Sequence, residues 1–149
     1  MTQEEKMLLI KDLSARLPYA VTVEHTSGFR GTLHDIAIHH MYDDNDNIYD
    51  AICYTDFFGD EDSIYIEYFK PYLFPLSSMT EEQKLEIKSL CDGTEIFDDG
   101  GWMSYISILG SFNFEINLAV VDWYNKNHFD YRGLIPMGLA NDATGKNIY

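Results

Sequence analysis

Four side chains able to do chemistry fall within five residues. His128, Asp130, Tyr131 and Arg132 bring together an imidazole, a carboxylate, a phenol and a guanidinium, just past a segment of helical character. Such a set can hold an anionic ligand, with Arg132 supplying a bidentate fork and Tyr131 a hydroxyl. Helix ends also leave carbonyls that need donors. Asp130 and Arg132 can instead satisfy each other and the end of that helix. The second use is the more common one, yet this group is the strongest candidate binding site in the sequence.

Other constellations are weaker. His34, His39 and His40 lie near Asp35 and Asp43, and strand spacing puts His34 and His40 on one face with His39 on the other. A zinc site needs three or four convergent ligands, and neither H-E-x-x-H nor C-x-x-C spacing is present. The run Asp43-Asp44-Asn45-Asp46 resembles the start of a calcium loop. Its sixth and twelfth positions hold Ile48 and Tyr54, where such a loop needs Gly and Glu. Cys53 and Cys91 have no neighbouring base and read as small core hydrophobes. No phosphate-binding loop, dinucleotide fingerprint or nucleophile elbow occurs. The expectation is therefore a protein without catalytic residues, metal or cofactor, and not an enzyme.

Charge carries more information. The chain has 25 acidic and 10 basic side chains, for a net charge of −15. Such a field opposes direct binding to nucleic acid or to anionic lipid. The acids are also segregated: residues 31–69 and residues 89–125 contain no Lys or Arg at all. Asp43, Asp44 and Asp46, with Asp60, Glu61 and Asp62, are expected to form a negative face. Solubility alone explains such a face, and so does a protein partner with a basic surface. The leading expectation is the partner, through inhibition or mimicry of nucleic-acid charge. The alternative is a small nucleotide-like ligand held by His128, Tyr131 and Arg132. With no apolar run long enough for a signal core or a membrane span, a cytoplasmic location is expected.

The elements that must position these residues read as one α+β domain spanning residues 1–149. Thr2 and Glu5 form a capping box for a first helix over residues 2–17, which Pro18 ends. Alternating runs over 20–25, 30–40, 48–58 and 63–69 predict an antiparallel meander of four to five strands, counting a further run over 102–109. Pro71 and Pro75 are expected to break the chain. A second capping box, Thr80 with Gln83, opens a helix ending near Asp92-Gly93. Residues 112–118 alternate and predict a strand or turn, followed by a third helix from 118 to 127. The last ten residues are polar and are expected to be loosely held.

Two segments, KPYLFPLSSMTEE over residues 70–82 and VDWYNKNHFDYRGLI over residues 121–135, resemble a widespread group of small uncharacterised proteins of gut Bacteroidetes and their phages and prophages. The resemblance covers roughly the last two-thirds of the chain. It departs from the group's pattern at Phe74, where Arg is usual, and at Asn127, where His is usual. It implies an accessory protein of a phage or mobile element and brings no activity with it.

Overall fold

The computed structural model describes residues 1–41, 48–55, 62–90 and 114–149. The first helix, α1 (Gln3–Arg16), opens on the expected capping box: Thr2 Oγ1 accepts from the Glu5 amide, and Glu5 accepts from the Thr2 amide. Leu9, Ile10 and Leu13 turn one face inward. Pro18 does end α1, and Leu17–Tyr19 tighten into a turn of 3-10 helix.

Five strands follow, then a sixth: β1 (Thr22–His25), β2 (Arg30–Met41), β3 (Ile48–Thr55), β4 (Asp62–Tyr65), β5 (Phe69–Leu73) and β6 (Asn141–Asp142). They lie in the order β4-β3-β2-β1-β5-β6. The first four form the antiparallel meander expected from the alternation. Its long strand β2 pairs first with β1 and then with β3, and the register slips by one residue between Leu33 and Asp35. That bulge at His34 resets the alternation along β2. Spacing therefore no longer predicts a shared face for His34 and His40.

Two expectations fail here. Pro71 does not break the chain but sits inside β5, opposite Val23 of β1. A strand tolerates proline where the missing N–H meets no partner. The short parallel strand β6 pairs only with Tyr72 and Leu73, so the edge beside Pro71 stays open. The closing residues are not loose either. Besides β6, the Ala143 amide donates to Leu73 O at 2.9 Å, Ala143 is fully buried, and the Tyr149 hydroxyl donates to Tyr72 O at 2.6 Å.

Two further helices complete the α+β architecture: α2 (Glu81–Leu90) and α3 (Phe114–Lys126). The second capping box is present, with the Thr80 amide donating to Gln83 Oε1 and the Gln83 amide to Thr80 Oγ1. The third helix begins four residues earlier than expected and absorbs much of the alternating segment. Val120 and Tyr124, one turn apart, bury its inner face. The candidate strand over 102–109 lies outside the described residues.

Apolar burial forms two clusters. One packs α1 against the sheet through Leu9, Leu13, Val21, Val23, Leu33, Phe69 and Leu73. The other joins α2 and α3 through Met79, Ile87, Val120, Tyr124, Phe129 and Tyr131. Trp123 Nε1 donates to Glu86 across the second cluster at 2.9 Å. Among the described residues no helix is long and apolar enough to cross a membrane.

Candidate functional site: the corner after the third helix

At its end α3 closes with two backbone hydrogen bonds. Phe129 N donates to Tyr124 O at 2.9 Å, and His128 N donates to Asn125 O at 3.2 Å. This is the Schellman pattern, in which the residue after the cap adopts the left-handed conformation and is usually glycine. Here it is His128, at φ 57. A side chain at this position has a cost that glycine avoids. The chain then zips against the end of β5: Phe74 N donates to His128 O, and Asp130 N donates to Phe74 O, both at 2.8 Å. The Phe129 ring stacks on Trp123 with centroids 5.6 Å apart.

The four sequence-predicted residues go to different places. Asp130 is buried and accepts from two backbone amides, Leu134 N and Ile135 N, each at 2.8 Å. It holds the next turn and is not paired with Arg132. Arg132 turns inward, with Nε 3.2 Å from Asp12 Oδ1, an ion pair that lacks hydrogen-bond alignment. Its guanidinium also lies over the Tyr131 ring, 4.8 Å from the centroid. Tyr131 is buried, stacked on Tyr124, with its hydroxyl unpaired. The phenol is therefore not presented to a ligand, and the Nε side of the guanidinium is turned to Asp12. Of this set, His128 lines a cleft.

Asp130→Asn should test the assigned role. The amide keeps one acceptor and points a donor at the other backbone N–H. A loss of about 1–2 kcal/mol is expected, read as a lower denaturation midpoint at unchanged slope. A variant as stable as the parent would remove Asp130 from this role.

The carbonyls at the end of α3 are served by a residue that sequence reasoning missed. Arg16, with no exposed surface, donates to Phe129 O at 2.8 Å and Tyr124 O at 3.4 Å. The same guanidinium grips Asp12 through Nε at 2.7 Å and Nη2 at 3.1 Å. Asp12, equally buried, thus stands between two guanidiniums. In sequence, Asp12 and Arg16 look like an ordinary i,i+4 surface pair. The available signal was that both lie beside the apolar stripe of α1.

His128 itself is neutral. Burial, and then the charge of Arg16, push its imidazole down to about 4. Its ring lies flat on that of Tyr149, with centroids 3.8 Å apart and planes 4° apart, and its Nδ1 finds no partner. Tyr149 as a whole residue remains about half exposed while its hydroxyl reaches inside, and that desolvation raises the phenol above its ordinary range.

Of the acidic candidates, Asp43, Asp44, Asp46, Asp60 and Glu61 lie outside the described residues. Asp62 is the first residue of β4, opposite Thr55. Residues 42–47 join β2 to β3 after the Met41–Ile48 pair, and residues 56–61 join β3 to β4 before the Thr55–Asp62 pair. They leave β3 at opposite ends, roughly 25 Å apart for eight extended residues. The two segments do not emerge side by side. Among the described residues no group of three His, Cys, Asp or Glu could hold a metal ion. Compared with known family models, curated proteins and solved structures, the chain matches none.

Proposed function

We propose that this protein is an accessory factor of a phage or mobile element that acts by binding a protein partner with a basic surface. One observation carries the reading. All ten Lys and Arg lie outside residues 31–69 and 89–125, which hold 16 of the 25 acids. Among the described residues five of the ten cations meet acids: Lys6 pairs with Glu67, Arg30 with Glu24, Lys84 with Glu81, and both Arg16 and Arg132 with Asp12. The surplus negative charge is thus concentrated in two runs that carry no cation of their own. Such charge steers a basic partner and discriminates against acidic ones.

The positions from which segments 42–47 and 56–61 leave β3 set the form of the test. Asp43, Asp44 and Asp46 are changed to Asn in one variant, and Asp60 and Glu61 to Asn and Gln in another. A partner captured from host extract at about 50 mM salt should be lost at about 300 mM, because exposed charge is screened over about 8 Å at physiological ionic strength. One of the two variants should lose the same partner at low salt. Capture insensitive to salt and to both variants would remove the acidic segments from the interaction.

A further inference from the structure

The cleft beside His128 has a character opposite to that of the chain as a whole. It measures about 440 Å³ and lies between the start of α2 and the corner at 126–129. That size is within the range of small-ligand sites. Its lining contains Lys126 but no Asp or Glu, in a chain where acids outnumber bases 25 to 10. Glu81 and Glu82 begin α2 without lining it. The other described cleft, about 420 Å³, is lined by Glu24, Glu67 and Lys70, and salt bridges to Arg30 and Lys6 occupy its carboxylates.

Three features make the first cleft a built site. Tyr149 is pinned at both ends, its hydroxyl on Tyr72 O and its ring on His128, so the ring is held rigid where the residue lines the cleft. A ring fixed in advance binds another ring without losing rotamer freedom. His128, 8% exposed and in a left-handed conformation, lines the cleft, and its unpartnered Nδ1 is itself buried. Strained backbone held by its surroundings is a feature that binding sites share. Finally, the amides at the rim are only half used. Gln83 spends Oε1 on the Thr80 amide and keeps its NH₂, while Asn127 spends Nδ2 on Trp123 O and keeps Oδ1. A donor, an acceptor and one cation, Lys126, thus surround an aromatic wall that includes Phe74.

We propose that this cleft binds a small planar aromatic ligand bearing one anionic group, with the ring on Tyr149 and the anion at Lys126. A nucleoside monophosphate and an aromatic carboxylate share this chemistry. The proposal is independent of the acidic segments and stands or falls separately from partner binding.

The full chain is titrated by two-dimensional NMR with AMP, indole-3-acetate, adenosine and inorganic phosphate, each to about 5 mM, a range that captures millimolar affinities. Saturable shifts around Tyr149, His128 and Lys126 are expected with AMP or with indole-3-acetate, and whichever binds identifies the source of the anion. Adenosine should bind more weakly, and phosphate alone should give no shifts there. Lys126 is exposed and makes no ion pair among the described residues, so Lys126→Glu should leave the fold intact and weaken the anionic ligand about tenfold or more. Tyr149→Leu should weaken both AMP and adenosine. No saturable shift with either anion, shifts mapping to another surface, or equal binding by Lys126→Glu would each overturn the proposal.

Discussion

Replacing Asp12 with alanine should cost the fold about 3–5 kcal/mol, the penalty for removing one partner of a buried ion pair. Against a total stability of about 5–15 kcal/mol, that is about a fifth or more. The magnitude follows from what is left behind. Asp12 and Arg16 are both fully buried, and Asp12 faces Arg16 Nε at 2.7 Å, Arg16 Nη2 at 3.1 Å and Arg132 Nε at 3.2 Å. Without the carboxylate, two guanidiniums face each other with nothing between them, and one has no access to water. Chemical denaturation should show the midpoint falling at nearly constant slope. An exposed pair supplies the contrast: Glu81 and Lys84 lie 2.7 Å apart, with the Glu81 side chain 81% exposed. Glu81→Ala should cost under about 1 kcal/mol. If Asp12→Ala were no worse than Glu81→Ala, the buried pair would not be a structural keystone.

A double variant separates charge from capping. Asp12→Leu with Arg16→Met removes both ions and fills the space with apolar atoms, a change that is often neutral for a buried pair. Here Arg16 also serves Phe129 O and Tyr124 O. The double variant leaves each carbonyl only its backbone donor, Phe129 N on Tyr124 O and Tyr131 N on Phe129 O; with the two charge-assisted bonds lost it should recover only part of the loss, remaining about 1–3 kcal/mol below the parent. Full recovery would mean that Arg16 matters only as the counterion of Asp12.

Arg16 also shows where sequence reasoning stops. Both capping boxes were legible because each is a local contract, residue i with i+3, that tertiary context had no reason to break. The meander was legible for the same reason, since alternation and turn residues fix neighbouring strands. The misses are non-local. Pro71 reads as a breaker until β1 and the shortness of β6 explain how a strand can hold it. Residues 114–118 alternate as a strand would, yet Val120 and Tyr124 commit the segment to a helix packed on α2. The polar tail looked loose because Ala143 and Tyr149 meet their partners, Leu73 and Tyr72, only after about seventy intervening residues have folded. At the corner after α3, the sequence suggested Asp130 with Arg132, and the structure pairs them otherwise. Nothing in the local spacing says that a helix more than a hundred residues earlier will cap α3, displace Arg132 onto Asp12, and leave Asp130 to hold the following turn.

That displacement has a consequence for pH. In the unfolded chain the His128 imidazole takes up a proton near 6.5; in the folded protein burial and the charge of Arg16 hold it off until about 4. Between those values the unfolded state binds more protons, so unfolding becomes easier as the pH falls. At roughly 1.4 kcal/mol per pH unit, the loss between pH 6.5 and 4 should reach about 3 kcal/mol, with no further gain from this group above pH 6.5. The measurement is denaturation at a series of pH values for the parent and for His128→Asn. Asparagine accepts the left-handed backbone and does not titrate. The variant will start lower, having lost the ring on Tyr149, but its stability should fall less steeply between pH 6.5 and 4. Parallel curves for the two proteins would assign the acid sensitivity to other groups. A flatter curve for the variant would establish that the fold keeps a neutral imidazole at this corner against the pull of its own net charge of −15. Net negative charge by itself favours protonation, so the resistance must come from the immediate surroundings: the buried ring and the guanidinium of Arg16.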